Sequence, residues 1–146
     1  MPDRLIHTAK GVLDGLLMIH GALYVILGWS WVVYPSPGRL AGIHWLPLAV
    51  TEHHVGWWWI IGGALAAAGA ALSRCRWMHT LAVMAAVGTP LVLSLVFAAA
   101  WFTGEAPRGL ITSVSYGSWA VVVAWASIRT SLDALRAVRE RRAEHD

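Results

Sequence analysis

Long apolar runs separated by short polar breaks set the pattern of this chain. Four runs stand out, at residues 12–34, 55–72, 77–102 and 111–128. The first holds a single acid, Asp14, near its start, and the other three hold no Asp, Glu, Lys or Arg. Each has about the 17–25 residues that a helix needs to cross roughly 30 Å of hydrocarbon. The runs are continuously apolar rather than alternating, which excludes barrel strands. A lone strand would leave its amides unpaired in lipid, so each run is predicted helical. The expected fold is all-α, an integral membrane four-helix bundle forming one membrane domain over residues 1–146.

The breaks agree. Pro35-Ser36-Pro37-Gly38 stops the first helix. Ser73–Arg76 makes a tight turn between the second and third, and Gly104, Pro107 and Gly109 do the same before the fourth. The one long connection, residues 35–54, carries Ile43-His44-Trp45-Leu46-Pro47-Leu48 and is expected on the membrane surface. The first run is longer than the usual 7–15 residues of a signal peptide and no small-residue cleavage site follows, so it is expected to remain in the mature protein. Asp3, His7, Lys10 and Asp14 share one helical face at the N-terminus. Leu132, Leu135 and Val138 recur every three residues among Asp133, Arg136, Arg139, Glu140, Arg141 and Arg142. The last helix should therefore continue as an amphipathic cytoplasmic tail over residues 129–146, read as a solvated segment that fixes topology.

Composition closes off other classes. Hydrophobic residues make up 58% and charged residues 13%, against about 25% charge in soluble domains. That excludes a soluble globule and a disordered chain. The net charge is only +3 with no basic stripe, so no nucleic-acid partner is expected. Nine of the eleven Lys and Arg residues fall on one side: Arg4, Lys10, Arg74, Arg76, Arg129, Arg136, Arg139, Arg141 and Arg142. Only Arg39 and Arg108 fall on the other. Positive loops stay in the cytoplasm, which predicts a multi-pass membrane protein with both termini cytoplasmic. Trp29, Trp31, Trp57, Trp58, Trp59 and Trp101 sit at the outer ends of their runs and are read as an interfacial belt, with rings in lipid and N–H groups wet.

Lipid gives no hydrophobic reward for helix association, so small residues must let backbones approach. Gly62, Ala66 and Ala70 form one four-spaced ridge on the second run, and Gly63, Ala67 and Ala71 form the next. Gly21 and Gly28 lie seven apart on one face of the first. Pro90 removes an amide from the third run and is expected to kink it. Ser113, Ser115, Tyr116 and Ser118, with Thr112, give the fourth run a polar outer half, read as helix-to-helix hydrogen bonding rather than a wet vestibule.

Chemistry is sparse. Asp14 is expected to pair with Lys10 at the interface. His20 and His79 are the weak candidates for a haem or proton-handling bundle. Their expected depths differ by about 9 Å at 1.5 Å per residue, which suits two axial ligands poorly. Glu52, His53, His54 and His44 lack the i, i+4 spacing of a helical zinc site, so no metal is expected. Cys75 is the single cysteine and is read as incidental. No nucleophile is set beside a base, and neither a catalytic residue nor a cofactor is expected.

Several segments together resemble one group of proteins: Ile19-His20-Gly21-Ala22-Leu23-Tyr24-Val25-Ile26-Leu27-Gly28-Trp29-Ser30-Trp31 followed by Pro35 and Arg39, Trp45-Leu46-Pro47, Gly56-Trp57-Trp58-Trp59-Ile60-Ile61-Gly62-Gly63, and Gly104-Glu105-Ala106-Pro107-Arg108-Gly109. The chain resembles the small four-span membrane proteins encoded by phages of actinobacteria, some of which are held to be holins. The Ala, Gly, Arg, Val and Trp bias with a single Lys fits a GC-rich genome. The resemblance implies a non-enzymatic, holin-like protein of the cytoplasmic (inner) membrane of a bacterial host, which oligomerises with itself and permeabilises the lipid bilayer. It supplies no catalytic residue. The alternatives are an accessory or superinfection-exclusion protein that binds a membrane or envelope protein partner, and the haem or proton-handling bundle.

Overall fold

A computed structural model describes residues 2–34, 36–46, 50–72 and 75–143, with side chains from Gly11 onward except at 137, 141 and 142. The described residues form five α-helices and no strand: α1 (Pro2–Val33), α2 (Pro37–Ala41), α3 (Glu52–Ala71), α4 (Arg76–Phe102) and α5 (Gly109–Ala143). Three stretches are long and apolar enough to cross a membrane: Gly11–Val33, Arg76–Phe102 and Gly109–Glu140. Helix α3 has 20 residues but is not one of them. Its first turn carries Glu52, His53 and His54, and three tryptophans and several glycines then dilute its hydropathy.

The four long helices close a ring in which α1 packs on α3, α3 on α4, α4 on α5 and α5 on α1. Neighbours run antiparallel. Gly21 faces Gly63 while Gly28 faces Gly56, and Gly62 faces Thr89 while Gly69 faces Ala82. The two small ridges of α3 therefore serve two different neighbours. The ridge with Gly63 and Ala67 receives α1, and the ridge with Gly62, Ala66 and Ala70, to which Gly69 adds, receives α4. At the first crossing a Cβ on Gly21 would lie 2.7 Å from the Gly63 carbonyl oxygen and 2.9 Å from the Ala67 nitrogen. Backbone meets backbone there, which only glycine permits.

Two core clusters stack along the ring. At the tail end, Leu13, Leu17, Ala66, Ala70, Ala82, Ala86 and Val123 pack together. At the loop end the core is aromatic, built on Tyr24, Trp31, Trp59 and Phe97 with Ile43, Val55 and Leu93. Helix α2 and the turns after it cap this end. Ile43 is buried, and a Cβ at Gly42 would run into the Phe97 ring.

Helix α3 starts at Glu52 rather than residue 55 because Thr51 and His54 form a reciprocal cap, in which the Thr51 N–H donates to His54 Nδ1 at 3.1 Å. Helix α5 runs unbroken from Gly109 to Ala143, and its stripe of Leu132, Leu135 and Val138 is exposed. Helix α4 likewise continues through Pro90, which is fully buried.

Candidate functional site at the loop end

A helix turns roughly 100° per residue, so three consecutive tryptophans cannot all face the same side. Trp57 and Trp58 are exposed while Trp59 is fully buried, and Trp29 is exposed while Trp31, two residues on, is buried. This corrects the expected belt at two positions. Trp31 and Trp59 face the middle of the ring and cannot ride at a lipid headgroup. Trp29, Trp57, Trp58 and Trp101 keep exposed faces.

The buried rings join a continuous aromatic network. Tyr24 contacts Trp59 edge-on with centroids 4.8 Å apart, and stacks on Trp119 at 6.0 Å and 6°. Trp59 meets Tyr116 at 5.2 Å, and Phe97 links Tyr116 to Trp31. Such pairs each contribute about 0.5–1.5 kcal/mol beyond area burial. Tyr116 therefore belongs to the core, as does Ser113, whose carbonyl accepts the Ser94 hydroxyl at 2.8 Å across α4 and α5. Ser115 and Ser118 are exposed on the opposite side and donate only to carbonyls of their own helix. The expected polar face is thus two faces.

Pro90 leaves the carbonyl of Ala86 without its helical donor. The Tyr24 hydroxyl replaces it, donating to the Ala86 oxygen at 2.8 Å from α1. His20, one turn before Tyr24, uses Nδ1 toward the Leu16 carbonyl at 2.9 Å and sets its ring edge-on to Tyr24 and Trp119. His79 lies elsewhere, its Nδ1 3.4 Å from Asp14 Oδ1, and both contacting atoms are buried without another partner. Asp14 was expected to pair with Lys10, whose side chain lies outside the described residues. In the structure its partner on α4 is His79. Each histidine is thus engaged separately, and nothing brings the two to one ligand.

The acidic and histidine-rich segment also disperses. Glu52 is buried, and both its carboxylate oxygens accept the Ser36 N–H, at 3.1 and 3.2 Å. His54 caps α3, and His44 lies 3.7 Å from Glu105. Among the described residues, no three His, Cys, Asp or Glu side chains converge as metal ligands. Comparison with known proteins yields no match: no family model, no curated protein and no solved structure is similar to the chain. What the site can do rests on its own geometry.

That geometry centres on a cavity of about 540 Å³ between α2, the turn before α5, and the aromatic core. Trp31, Phe97 and Tyr116 form its apolar side, while Arg39, Arg108 and Thr112 supply its polar side. Among the described residues no carboxylate lines it. Arg39 is fixed in place. Its Nη1 donates to the carbonyls of Ser30 at 3.0 Å and Tyr34 at 3.3 Å, and Nη2 to the Ser30 hydroxyl at 3.2 Å. Its guanidinium also sits 5.0 Å from the Trp31 ring centroid. The last carbonyls of α1 thus hold a cation at the negative end of the helix. The sequence marks Arg39 and Arg108 as exceptions to the charge bias but does not bring them together. That exception was the available signal, since two cations retained against the bias call for a local reason.

Proposed function

We propose that the chain is a four-span protein of the cytoplasmic membrane with both termini in the cytosol, of the kind phages of actinobacteria encode. Helix α3 is the fourth span. Its 20 residues reach about 30 Å, and its paired glycine crossings with α1 set it at the same depth as a helix long enough to cross. Arg76 and the α5 tail lie at one end of the ring and Arg39 with Arg108 at the other, which supports a cytosolic tail end and an outer loop end.

Within that placement the best-supported role is a non-enzymatic accessory protein that works through its outer face. The observation that carries it is the arginine-lined cavity under an ordered cap. The small ridges of α3 and the Ser94–Ser113 contact, by contrast, are already engaged inside one chain. A holin-like role by self-association is the second reading. It is favoured by a lipid-facing groove of about 420 Å³ between α3 and α4, where the small residues Ala85 and Gly88 leave room for another helix.

Two measurements test this. A membrane-impermeant maleimide is expected to miss Cys75 in intact cells and label it in inverted vesicles. In a Cys75→Ser, Glu105→Cys variant the pattern reverses. Labelling of both positions from the same face would overturn the topology. Inducible expression in a bacterium with a potential-sensitive dye then separates the roles. The accessory reading expects growth and membrane potential to hold at high membrane levels of the protein. A timed collapse of potential would instead establish the holin-like reading.

A further inference from the structure

We infer that the loop-end cavity is a binding site for an oxyanion headgroup, phosphate or carboxylate, carried on an apolar body. The inference deepens the outer-face reading, and it depends on that reading only for where the ligand comes from.

Three observations carry it. Among the described residues the lining holds two guanidinium groups and no carboxylate, although Glu105 adjoins it in sequence and Glu52 meets it at Ser36. Glu52 is turned to the Ser36 N–H and Glu105 to His44, and among the described residues neither forms an ion pair with Arg39 or Arg108. Planar guanidinium forks suit carboxylate and phosphate because they donate two parallel hydrogen bonds.

The arginines are also unequally committed. Arg39 is held by three hydrogen bonds and by Trp31, which leaves donors on the fork for a ligand without freedom to leave the site. For Arg108, also in the lining, the described residues include no hydrogen bond or ion pair to its side chain, and it is exposed. One cation is preorganised and the other is available to close over a bound anion. Preorganisation removes part of the ordering cost of binding.

Finally, the cavity is amphipathic in the right sense. Its apolar side is aromatic, built from Trp31, Phe97 and Tyr116 in edge contact. Tyr116 and Thr112 each add a hydroxyl-bearing side chain to the lining. At about 540 Å³ the volume falls within the roughly 300–1,000 Å³ of small-molecule sites, larger than a bare anion fills. The occupant is therefore an anion with an apolar portion, which an acidic phospholipid of the outer leaflet provides, as does a soluble amphiphilic phosphate or carboxylate.

The test uses the full chain purified in a neutral detergent, where membrane sidedness plays no part. Thermal melting and native mass spectrometry follow titration with dihexanoyl phosphatidylglycerol, dihexanoyl phosphatidylcholine, hexyl phosphate and inorganic phosphate. Saturable binding of phosphatidylglycerol or hexyl phosphate is expected, with inorganic phosphate and phosphatidylcholine weaker. Preference for phosphatidylglycerol over hexyl phosphate points to lipid as the source, and the reverse to a soluble ligand. Arg108→Gln should weaken binding at least fivefold without shifting the unliganded melting temperature. Arg39→Gln should weaken it too but also lower that temperature, so Arg108 decides. A loss below fivefold in Arg108→Gln, equal binding of phosphatidylcholine, or no saturable binding of either amphiphile would overturn the site. The maleimide labelling independently decides which face it serves.

Discussion

Gly63→Leu is expected to abolish assembly of the helical ring, and Gly63→Ala to lower its stability by about 3 kcal/mol, the upper end of overpacking effects. The reason lies in what a new Cβ would meet. It would sit 2.5 Å from the Gly21 carbonyl oxygen and 2.9 Å from both the Tyr24 Cβ and the Val25 nitrogen. A crowded side chain can change rotamer, but a backbone carbonyl inside a helix cannot move without the helix. The two helices would have to separate, and the pair seven residues away would separate with them, because a Cβ on Gly28 would lie 2.5 Å from the Gly56 oxygen. Since packing rather than a hydrophobic reward holds helices together in lipid, little else would compensate. The control is Gly88→Ala. Gly88 also lies mid-helix, but nothing stands within 4 Å of its Cβ position. That change should leave stability equal or raise it by about 0.5–1 kcal/mol through helix propensity. Unfolding titrations in mixed micelles, followed by circular dichroism, check both. Equal effects at Gly63 and Gly88 would mean that the α1–α3 crossing is not backbone-tight.

Much of this crossing is legible in the sequence. Gly21 and Gly28 are seven apart, the α3 ridges are four-spaced, and an antiparallel neighbour brings such patterns into register. The partner of each ridge is not legible, because spacing gives the angle of a ridge on its own helix and not which helix fills it. The tryptophans show the same limit. Position along the chain gives depth, so Trp29, Trp31 and Trp57 through Trp59 all read as boundary residues. Angle about the axis decides burial, and here Trp31 and Trp59 turn inward. Ser113 and Ser115 divide for the same reason. The cavity was the least legible feature, because it is assembled from α2, the turn at Ala106–Gly109 and the core beneath them, segments far apart in sequence. Only the unusual side on which Arg39 and Arg108 fall hinted at it.

The second large effect is expected at Tyr24, and it tests why a proline can be buried in α4. Tyr24→Phe removes only a hydroxyl, so the stack on Trp119 and the edge contact with Trp59 should persist. It deprives the Ala86 carbonyl of the donor that replaces the amide missing at Pro90. A buried unsatisfied carbonyl costs about 1–3 kcal/mol in water-soluble proteins. In lipid the separated helices also carry that orphan carbonyl, and measured interhelical hydrogen bonds there average less, so the expected loss is about 1–2 kcal/mol. Restoring the amide should remove the dependence. In Pro90→Ala the nitrogen of residue 90 can donate to Ala86 within α4, and Tyr24→Phe in that background should lower stability by under about 0.5 kcal/mol. The double-mutant cycle should therefore show a coupling near 1 kcal/mol between residues on different helices. Pro90→Ala can shift Leu93 and Phe97 by straightening the helix, but the cycle subtracts that effect because both members of the second pair share it. If Tyr24→Phe has the same effect with proline or alanine at position 90, the hydroxyl does not stand in for the lost amide. Tyr24 would then hold the bundle together through its ring alone.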